Sequence, residues 1–336
     1  MHITLYKPGS IPVPPRLYGG GQRSVYWLGK GLLQLGHQVT LIANADSHIP
    51  GADLRPVPKE DKDPKHWVNL VPDSTDIVQI CGQSKCLPKK PFLFRNGGNP
   101  APGTRFHPNT VFISRSHAAN HGARHFVHNG LDISEYTSSE KRENYAVLLA
   151  KARWKVKNLE GAIAVARRAG LELRVMGSRN WPFNAQRLLP AIRGVRYYGM
   201  VGDEEKRELL ARARCLIFPV LWHEPFGNAV VEALASGNYI AATPYGSLPE
   251  IVTPETGALS AKAEELAEAV RNPQRFRPMD CRNRVIEGGF THLDMARKYL
   301  AYYEQILAHG SLLEAGEPPP RATAERNPKR FLPWEN

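Results

Sequence analysis

The segment 223–237 constrains the fold of this chain more than any other part of its sequence. It reads His-Glu-Pro-Phe-Gly-Asn-Ala-Val-Val-Glu-Ala-Leu-Ala-Ser-Gly, between two apolar runs at 215–220 and 239–243. A strand, a loop, a helix and a second strand in this order are typical of a βαβ unit in a parallel sheet. Ligands of such sheets bind beyond the carboxyl ends of the strands, which is where the loop of this segment would lie.

Two glutamates in the segment, Glu224 and Glu232, are eight residues apart. Helical residues advance by about 100° each, so eight residues of one helix would leave the two carboxylates out of line. We therefore expect the helix to begin near Asn228, with Glu224 on the loop before it. The first N–H groups of that helix would form a phosphate site. Carboxylates only accept hydrogen bonds, so the arrangement suits a ligand with hydroxyls at both ends and phosphate between them, such as a nucleotide sugar.

This segment resembles the signature of the family 4 retaining glycosyltransferases, also called glycosyl transferases group 1. The signature is Glu-x-Phe-Gly followed by a second Glu, and it is matched at Glu224, Phe226, Gly227 and Glu232. The resemblance continues through residues 232–237 and through the Gly-Ser-Leu-Pro-Glu-Ile-Val sequence at 246–252.

The resemblance implies an α/β protein with the GT-B fold, in which two Rossmann-like, doubly wound parallel-sheet domains face each other across a cleft. We expect an acceptor-side domain at 1–140 and a nucleotide-sugar-binding domain at 141–290. A C-terminal helix at 291–310, able to pack back on the first domain, and a proline-rich tail at 311–336 complete the chain. The implied activity is a retaining hexosyl or pentosyl transfer from a nucleotide-diphosphate sugar to an acceptor hydroxyl, with no metal and no further cofactor.

Family resemblance also assigns roles to the segment and to a second loop. Glu232 is expected to accept hydrogen bonds from the ribose hydroxyls, and Glu224 to hold hydroxyls of the donor sugar. Backbone N–H groups around Phe226, Gly227 and Asn228 would meet sugar or phosphate oxygens. The base is expected along residues 198–202, with Met200 and Val201 as its contacts.

Cations are expected near the leaving diphosphate, because negative charge develops there as the glycosidic bond breaks. The sequence at 149–158 offers Lys151, Arg153, Lys155 and Lys157. The family has Gly-Arg and then Lys-Gly or Lys-Asn at this place. Lys157, followed by Asn158, matches the second half. Arg153 is one residue out of the family spacing, so Lys151 is the alternative for its role.

The N-terminal part also carries family features. A strand at 3–6 and a Pro/Gly-rich loop lead to Gly19, Gly20 and Gly21, which precede a helix at 22–35 and a strand at 39–43. Successive glycines let the backbone approach a ligand closely. The Gly-Gly, helix, Gly-His-x-Val order resembles the family's N-terminal pattern, so the three glycines are expected to contact the donor.

One position departs from the family. Many members have a His after the strand that corresponds to 92–94, and Asn96 falls at about that position here. Asparagine is not a base, but it can hold a hydroxyl or a carbonyl. Front-face transfer, in which the donor phosphate helps to deprotonate the acceptor, needs no protein base. The neighbouring Arg95 is an alternative marker, for an acceptor with an anionic group.

Four histidines at positions 117, 121, 125 and 128 raise the question of a metal. Spacings of four could align imidazoles on one helix face. Gly122 weakens that helix, and no carboxylate accompanies the cluster. We expect a polar helix rather than a metal site.

Composition and net charge limit the kinds of partner that the chain is expected to bind. The 336 residues suit two domains, and the net charge of +12 is spread over both halves. A basic surface, and a tail that combines Lys329 and Arg330 with Phe331 and Trp334, suit an anionic membrane surface or DNA, although a generically basic enzyme explains them equally. Neither an apolar run of membrane-spanning length nor a secretory signal is recognisable, and the four cysteines lack metal-ligand spacing. We expect a cytoplasmic protein, with peripheral contact to the inner membrane face as an option.

The acceptor is the open point. A lipid-linked or polysaccharide glycan is the first choice on family grounds, and a hydroxylated DNA base is the second, because of the pI of 9.6. Two other classes are a non-catalytic sugar-nucleotide-binding protein and a phosphorylase of the same fold. The intact glutamate pair argues against the former, and the lack of a recognisable cofactor-lysine motif argues against the latter.

Overall fold

The computed structural model of the protein describes residues 1–17, 19–58, 65–139, 141–177, 194–272, 276–322 and 331–336. The chain divides into two compact units. Unit 1 comprises Met1–Asp132 and Gly289–Asn327, and unit 2 comprises Ile133–Gly288 and Pro328–Asn336. The division thus lies after residues 132 and 288, whereas the sequence placed it after 140 and 290.

Each unit contains a parallel sheet. The strands of unit 1 are β1 (His2–Tyr6), β2 (Gln38–Asn44), β3 (Asp53–Val57), β4 (Ile77–Ile80), β5 (Phe92–Arg95) and β6 (Thr110–Val111). Those of unit 2 are β7 (Tyr145–Leu149), β8 (Glu172–Met176), β9 (Val195–Gly199), β10 (Cys215–Phe218), β11 (Tyr239–Ala242) and β12 (Gly257–Leu259).

Helices connect these strands. They are α1 (Gly20–Gln34), α2 (Arg115–Ala119), α3 (Leu159–Arg168), α4 (Asp203–Arg212), α5 (Asn228–Ala235), α6 (Leu248–Ile251), α7 (Ala263–Arg271), α8 (Pro278–Glu287) and α9 (His292–His309). Within the described chain, none of them combines the length and the apolar character that crossing a membrane requires.

The two sheets have the same strand order. Unit 1 runs β3-β2-β1-β4-β5-β6, and unit 2 runs β9-β8-β7-β10-β11-β12. In both, the first strand lies between the second and the fourth, so the winding direction reverses between β1 and β4 and between β7 and β10. Ligands of doubly wound sheets bind at this switch point, beyond the carboxyl ends of the strands. The predicted α/β class with two doubly wound parallel sheets is confirmed.

Central strands are buried on both faces, as parallel strands covered by helices must be. All four residues of β4 and of β10 are buried. The sequence did not predict β3, whose Pro56 lacks the N–H of a central strand. The structure places β3 at the sheet edge, where proline is tolerated.

Helix α9 is part of unit 1 and packs on α1. A β-carbon at Gly31 of α1 would lie 2.6 Å from the backbone oxygen of His292, so the absence of a side chain permits this close approach. The imidazole Nε2 of His292 lies 2.6 Å from the side-chain oxygen of Gln34.

In unit 2, one guanidinium serves the ends of two helices. Arg142 donates from Nη1 to the oxygens of Ala211 and Ala213, both at 3.0 Å, at the end of α4. From Nη2 it donates to the oxygens of Ser236 and Gly237, both at 2.9 Å, at the end of α5. The last carbonyls of a helix lack intrahelical donors, so Arg142 caps both helices at once.

The proline-rich tail is hydrogen-bonded where the structure describes it. In unit 1, the N–H of Arg321 donates to the oxygen of His121 at 3.1 Å, and Ala322 pairs with residues 103 and 104. In unit 2, Leu332 donates to the oxygen of Leu221 at 2.9 Å, and residue 335 bonds to both 261 and 263. At these residues, the described parts of the tail are hydrogen-bonded to the two units.

Candidate functional site

At the switch point of unit 2, the loop after β7 meets the loop after β10. The N–H of Leu221 donates to the oxygen of Val156 at 2.8 Å. The rings of Trp154 and Trp222 meet edge to face, with their centroids 6.4 Å apart. The carboxyl ends of the two strands thus support one continuous surface.

The first charged pair of this surface joins the two loops. The ammonium nitrogen of Lys157 lies 2.5 Å from Oε2 of Glu224, and both side chains are more than 90% buried. The indole N–H of Trp222 donates to the same oxygen at 2.7 Å. The ammonium also lies over the rings of Phe218 and Trp222, at 5.0 and 4.9 Å from their centroids. A buried ion pair with further hydrogen bonds holds both side chains in one orientation.

The backbone of Glu224 is held by the loop after β11. Gly246 has a φ of +66°, and a β-carbon there would lie 2.3 Å from both the nitrogen and the oxygen of Glu224, so only glycine fits. The N–H of Ser247 donates to the oxygen of Glu224 at 3.0 Å, and its hydroxyl donates to the oxygen of Phe226 at 2.7 Å. The Gly-Ser sequence at 246–247 therefore fixes the position of the glutamate loop.

Helix α5 begins at Asn228, as the spacing of the two glutamates predicted. Gly227 precedes it in the left-handed conformation, with φ 83° and ψ 59°, and Phe226 is buried beneath the turn. No acidic residue lies in the first turn of the helix. The positive end of the helix dipole beside Glu224 and Lys157 makes this a suitable place for an anionic group.

Glu232 lies one turn further along α5 and forms a second charged pair. Its Oε2 lies 2.6 Å from Nζ of Lys206 on α4, and the two side chains are 8% and 10% exposed. Asp203 holds the same ammonium at 3.2 Å. The lysine therefore bridges two carboxylates, and it orients that of Glu232.

The predicted base contacts lie on the loop from which α4 starts. Met200 and Val201 follow β9 directly, and the valine is buried. Lys206 lies on the first turn of α4, so its ion pair with Glu232 connects α4 and the loop before it to α5. The residues predicted to hold ribose and base are thereby linked within one unit.

The structure separates the predicted basic residues. Lys157 is buried in the pair with Glu224, whereas Arg153 is exposed. Lys151 is half-buried, with its ammonium 4.6 Å from the ring centroid of Trp154. Of the two alternatives for the family's arginine, Lys151 is the one that the loop holds against other side chains.

The other predicted residues belong to unit 1. Asn96 follows β5, its N–H donates to the oxygen of Val111 at 3.0 Å, and its side-chain nitrogen is buried without a partner among the described residues. Gly19 caps α1, and a β-carbon there would lie 2.7 Å from Cβ of Pro15. Gly20 and Gly21 are the first two residues of that helix.

The histidines do not line one helix. Helix α2 ends at Ala119, so only His117 lies within it. Burial, helped by the neighbouring His121, lowers the pKa of His117 to about 3, and its Nε2 lies 3.1 Å from the oxygen of Gly98. Among the residues that the structure describes, no cluster of three or more His, Cys, Asp or Glu has the geometry to hold a metal.

Two residues of the site were not anticipated from the sequence, Lys206 and Trp222. Both act through partners that sequence spacing does not reveal: Lys206 bonds across two helices, and Trp222 bonds back to Glu224. A weak signal existed for the lysine, since it follows Gly202 by four residues at the start of an acidic helix.

Comparison with known proteins agrees with this geometry. Residues 143–272 match the family model described as glycosyl transferases group 1. The MMP alpha-(1->4)-mannosyltransferase of Mycolicibacterium hassiacum is 34% identical over 118 residues, which is 32% of this chain and 28% of that protein. The sequence match thus spans only about a quarter of the length of this relative, and it shows similarity in one region.

Solved structures resemble almost the whole chain. AviGT4, a glycosyltransferase involved in avilamycin A biosynthesis, has a TM-score of 0.77 at 24% identity, covering 92% of this chain and 98% of its own. Sucrose-phosphate synthase from Thermosynechococcus elongatus has a TM-score of 0.69 at 16% identity, covering 91% and 99%. HepE from Anabaena, in complex with UDP-glucose, has a TM-score of 0.63 at 14% identity, covering 91% and 100%.

At these identities, the structural matches establish the fold, and the family match locates the sequence resemblance in unit 2. Both agree with the motif that begins at Glu224. The chain is thus similar to the group 1 glycosyltransferases, and it has the GT-B fold of their solved structures.

Proposed function

We propose that this protein is a retaining glycosyltransferase that moves a hexosyl or pentosyl group from a nucleotide-diphosphate sugar to a hydroxyl of a saccharide acceptor. The observation that carries the proposal is the pair of buried carboxylate–lysine contacts, Lys157–Glu224 and Lys206–Glu232, on either side of the α5 N-terminus. They lie at the switch point of the sheet, inside the region that matches the family.

The two carboxylates suit different parts of the donor. Glu232 would accept hydrogen bonds from ribose hydroxyls while Lys206 holds its other side, with the base against Met200 and Val201. Glu224 would accept from hydroxyls of the sugar. The diphosphate would meet the start of α5, at Gly227 and Asn228, where a helix favours negative charge.

Lys157 would act on the leaving group. Without a ligand its charge is compensated by Glu224 at 2.5 Å. A diphosphate placed beside it would share the ammonium, so that the lysine meets the negative charge that develops as the glycosidic bond breaks. Lys151 and the exposed Arg153 would add positive charge at the rim. No step of this transfer requires a metal or a resident cofactor.

Unit 1 would supply the acceptor side. Asn96 has a buried amide nitrogen that no described residue accepts from, which suits a hydroxyl or carbonyl oxygen. Gly19, Gly20 and Gly21 leave the start of α1 without side chains, which suits an approach to the donor. With no protein base in these positions, the donor phosphate would assist the deprotonation of the acceptor.

Saccharide acceptors are favoured by the similar proteins. The similar region belongs to a mannosyltransferase, and one similar structure is a sucrose-phosphate synthase. We therefore put a lipid-linked or polysaccharide glycan first, and a hydroxylated DNA base becomes an outcome of the test. The four cysteines are all free thiols, which suits a cytoplasmic location. Contact with a membrane face through the basic surface is part of the same proposal.

The test begins with thermal shifts for a panel of nucleotide sugars on the full chain. The donor that stabilises the protein is then incubated with glycan, lipid-linked glycan and hydroxylated DNA acceptors, and products are identified by mass. The anomeric configuration of the product, measured by NMR, should equal that of the donor. Inversion of configuration would refute the retaining mechanism, and a DNA product would replace the saccharide acceptor.

A substitution separates catalysis from binding alone. Glu224→Gln should abolish transfer, and it should also reduce the rate at which the donor is hydrolysed when no acceptor is present. The matched surface variant Arg167→Ala on α3 should leave both activities intact. Donor binding without any turnover in the unmodified protein would instead indicate a non-catalytic sugar-nucleotide-binding protein.

A further inference from the structure

The switch point of unit 1 holds two cations for which the proposed donor site has no use. Lys7 follows β1 directly, and Arg95 is the last residue of β5; β4 lies between these two strands. Arg95 is 4% exposed. Its Nη2 donates to the side-chain oxygen of Asn129 at 2.7 Å, which is a neutral partner.

Among the described residues, no negative charge compensates Lys7 or Arg95. In the described parts of the chain, neither Lys7 nor Arg95 forms an ion pair with a carboxylate. Burial, and to a smaller extent Arg95, lowers the pKa of Lys7. The groups nearest to them are neutral: burial raises the pKa of the Cys81 thiol, and burial keeps the pKa of His117 at about 3. Two neighbouring cations, Arg95 buried and Lys7 partly buried, are costly in free energy without a counter-ion.

Glycines leave this charge accessible. A β-carbon at Gly97 would lie 3.2 Å from Nη1 of Arg95, and one at Gly82 would lie 3.8 Å from Nζ of Lys7. At Gly98, which is exposed, a β-carbon would meet nothing within 4 Å. At Gly82 and Gly97, the backbone beside the two cations therefore carries no side chain, and open space adjoins Gly98.

We propose that unit 1 binds an oxyanion of the acceptor, a phosphate monoester or a carboxylate, through Lys7 and Arg95. The proposal rests on the proposed function for the identity of the acceptor, whereas the oxyanion site itself does not depend on that function. Arg95 presents a fork of donors that matches two oxygens, and Lys7 adds a point charge. Asn96, directly after the arginine, is left to hold the acceptor hydroxyl.

Hydrogen–deuterium exchange on the full chain, with inorganic phosphate as the probe, tests the site. Phosphate should protect the peptides that cover residues 5–17 and 92–100. The protection should disappear in Lys7→Gln and persist in Lys7→Arg, which keeps the charge. It should also persist in Lys89→Gln, which removes an exposed lysine of the same unit. No protection at saturating phosphate, or equal protection in Lys7→Gln, would overturn the proposal.

A second arm distinguishes the acceptor from the donor. Phosphate protection of these peptides should survive a saturating nucleoside diphosphate, which fills the site of unit 2. Loss of the protection would assign the anion to the donor's own diphosphate and would refute the acceptor assignment.

A kinetic arm identifies the source of the anion. The acceptors compared are a neutral hexose, a hexose phosphate and a hexuronic acid. For whichever anionic acceptor the protein uses, Lys7→Gln should raise KM about tenfold or more and leave kcat almost unchanged. If the unmodified protein prefers the neutral hexose, the inference is refuted but the proposed function stands. Absence of both transfer and donor hydrolysis, with phosphate protection intact, would refute the proposed function while the oxyanion site stands.

Discussion

The two units share one strand order but differ in how they treat charge at the switch point. In unit 2, the two buried lysines of the site each face a buried carboxylate, at 2.5 Å for Lys157 and 2.6 Å for Lys206. In unit 1, Lys7 and Arg95 face neutral groups, and Asn129 is the arginine's partner. The same topology thus carries a charge-compensated surface in one unit and an uncompensated positive one in the other.

This difference shows that topology selects the place of a site, whereas a few side chains decide what binds there. A compensated surface can release its lysine to a ligand phosphate and offer its carboxylate to hydroxyls in the same event. An uncompensated surface gains most from a ligand that brings negative charge. A nucleotide sugar suits the first surface, and an anionic acceptor suits the second.

Removing Lys157 should have the largest effect on this comparison. Lys157→Ala leaves the buried Glu224 carboxylate with the indole of Trp222 as its remaining partner among the described residues, so we expect turnover to fall about 100-fold or more. Unlike a surface cation, this lysine should also matter for folding, with a loss of about 3 kcal/mol in the free energy of unfolding. Steady-state kinetics and urea unfolding measure the two effects.

A double variant separates the effect of Lys157 on turnover from its effect on stability. Lys157→Met with Glu224→Leu replaces both charges, so it should regain much of the lost stability but no turnover. Arg167→Ala, on the exposed face of α3, is the matched single control. Full turnover in Lys157→Ala, together with its loss in Lys151→Ala, would show that the roles of the two lysines are reversed.

Gly246→Ala should come next, because it displaces the backbone on which the compensated pair depends. Its β-carbon would lie 2.3 Å from backbone atoms of Glu224, whereas one at Gly170 would meet nothing within 4 Å. Both glycines have a positive φ, +66° and +69°, so Gly170→Ala carries the same backbone strain without the clash. We expect Gly246→Ala to be less stable than Gly170→Ala by on the order of 2 kcal/mol. Equal melting temperatures would contradict the clash.

Glu232→Gln should weaken donor binding by about 1–3 kcal/mol, the cost of a lost hydrogen bond to a charged group. The loss of folding stability should be smaller than in Lys157→Ala, because Lys206 still has the Asp203 carboxylate as a partner, 3.2 Å away. Calorimetry with the nucleotide sugar measures the affinity. Glu208→Gln, an exposed change on α4, is the control. Unchanged affinity would remove Glu232 from the donor site.

Removing the last residues should sharpen the comparison, because 331–336 bond to unit 2 alone. Residues 318–336 have little apolar periodicity, and from the sequence alone this predicts that their deletion leaves the melting temperature nearly unchanged. Leu332 and Glu335 instead form backbone hydrogen bonds with unit 2, and Tyr245 donates to the oxygen of Pro333 at 2.5 Å. We expect the deletion of 331–336 to cost on the order of 1–2 kcal/mol. Hydrogen exchange should report it in unit 2 and not in unit 1; an unchanged unit 2 would restore the original prediction.

Substitution of Lys7 should have the smallest effect on stability, and the lowered pKa of Lys7 fixes the direction in which this effect changes with pH. Burial and Arg95 lower its pKa in the folded protein, so between that pKa and the unfolded value the unfolded chain binds more protons. Stability of the unmodified protein should therefore rise with pH relative to Lys7→Gln as Lys7 loses its proton. At pH 7 the variant should be the more stable by about 1 kcal/mol or less. Urea unfolding from pH 7 to above pH 10 measures the difference, and parallel curves would argue against a buried charge at Lys7.

Local features of both units could be predicted from the sequence. The spacing of Glu224 and Glu232 located the start of α5 at Asn228, because helix geometry acts within a few residues. The apolar run at 77–80 similarly predicts a strand, and the structure has β4 at Ile77–Ile80. The run at 111–114 also predicts a strand, but β6 ends at Val111, and Ser114 instead caps α2 by accepting a hydrogen bond from the N–H of His117 at 3.0 Å.

Pairings between distant residues could not be predicted. Lys157 was assigned to the diphosphate alone, yet it bonds to a residue 67 positions away. The partner of Glu232 lies on another helix, and nothing in the spacing of Lys206 specifies that contact. Equally, the sequence marks Arg95 as a basic residue but does not reveal that no carboxylate of the described residues pairs with it. Charge compensation is a property of the folded chain.

Arg142 has a consequence for moving this site elsewhere. Its single guanidinium caps α4 and α5, the helices that carry Lys206 and Glu232, at the ends remote from the ligand surface. A designer who transplants the two helices into a new scaffold, and copies only the residues that face the nucleotide, would leave this fastening behind. The portable module is therefore the two helices together with the arginine, which lies well before both of them in the sequence.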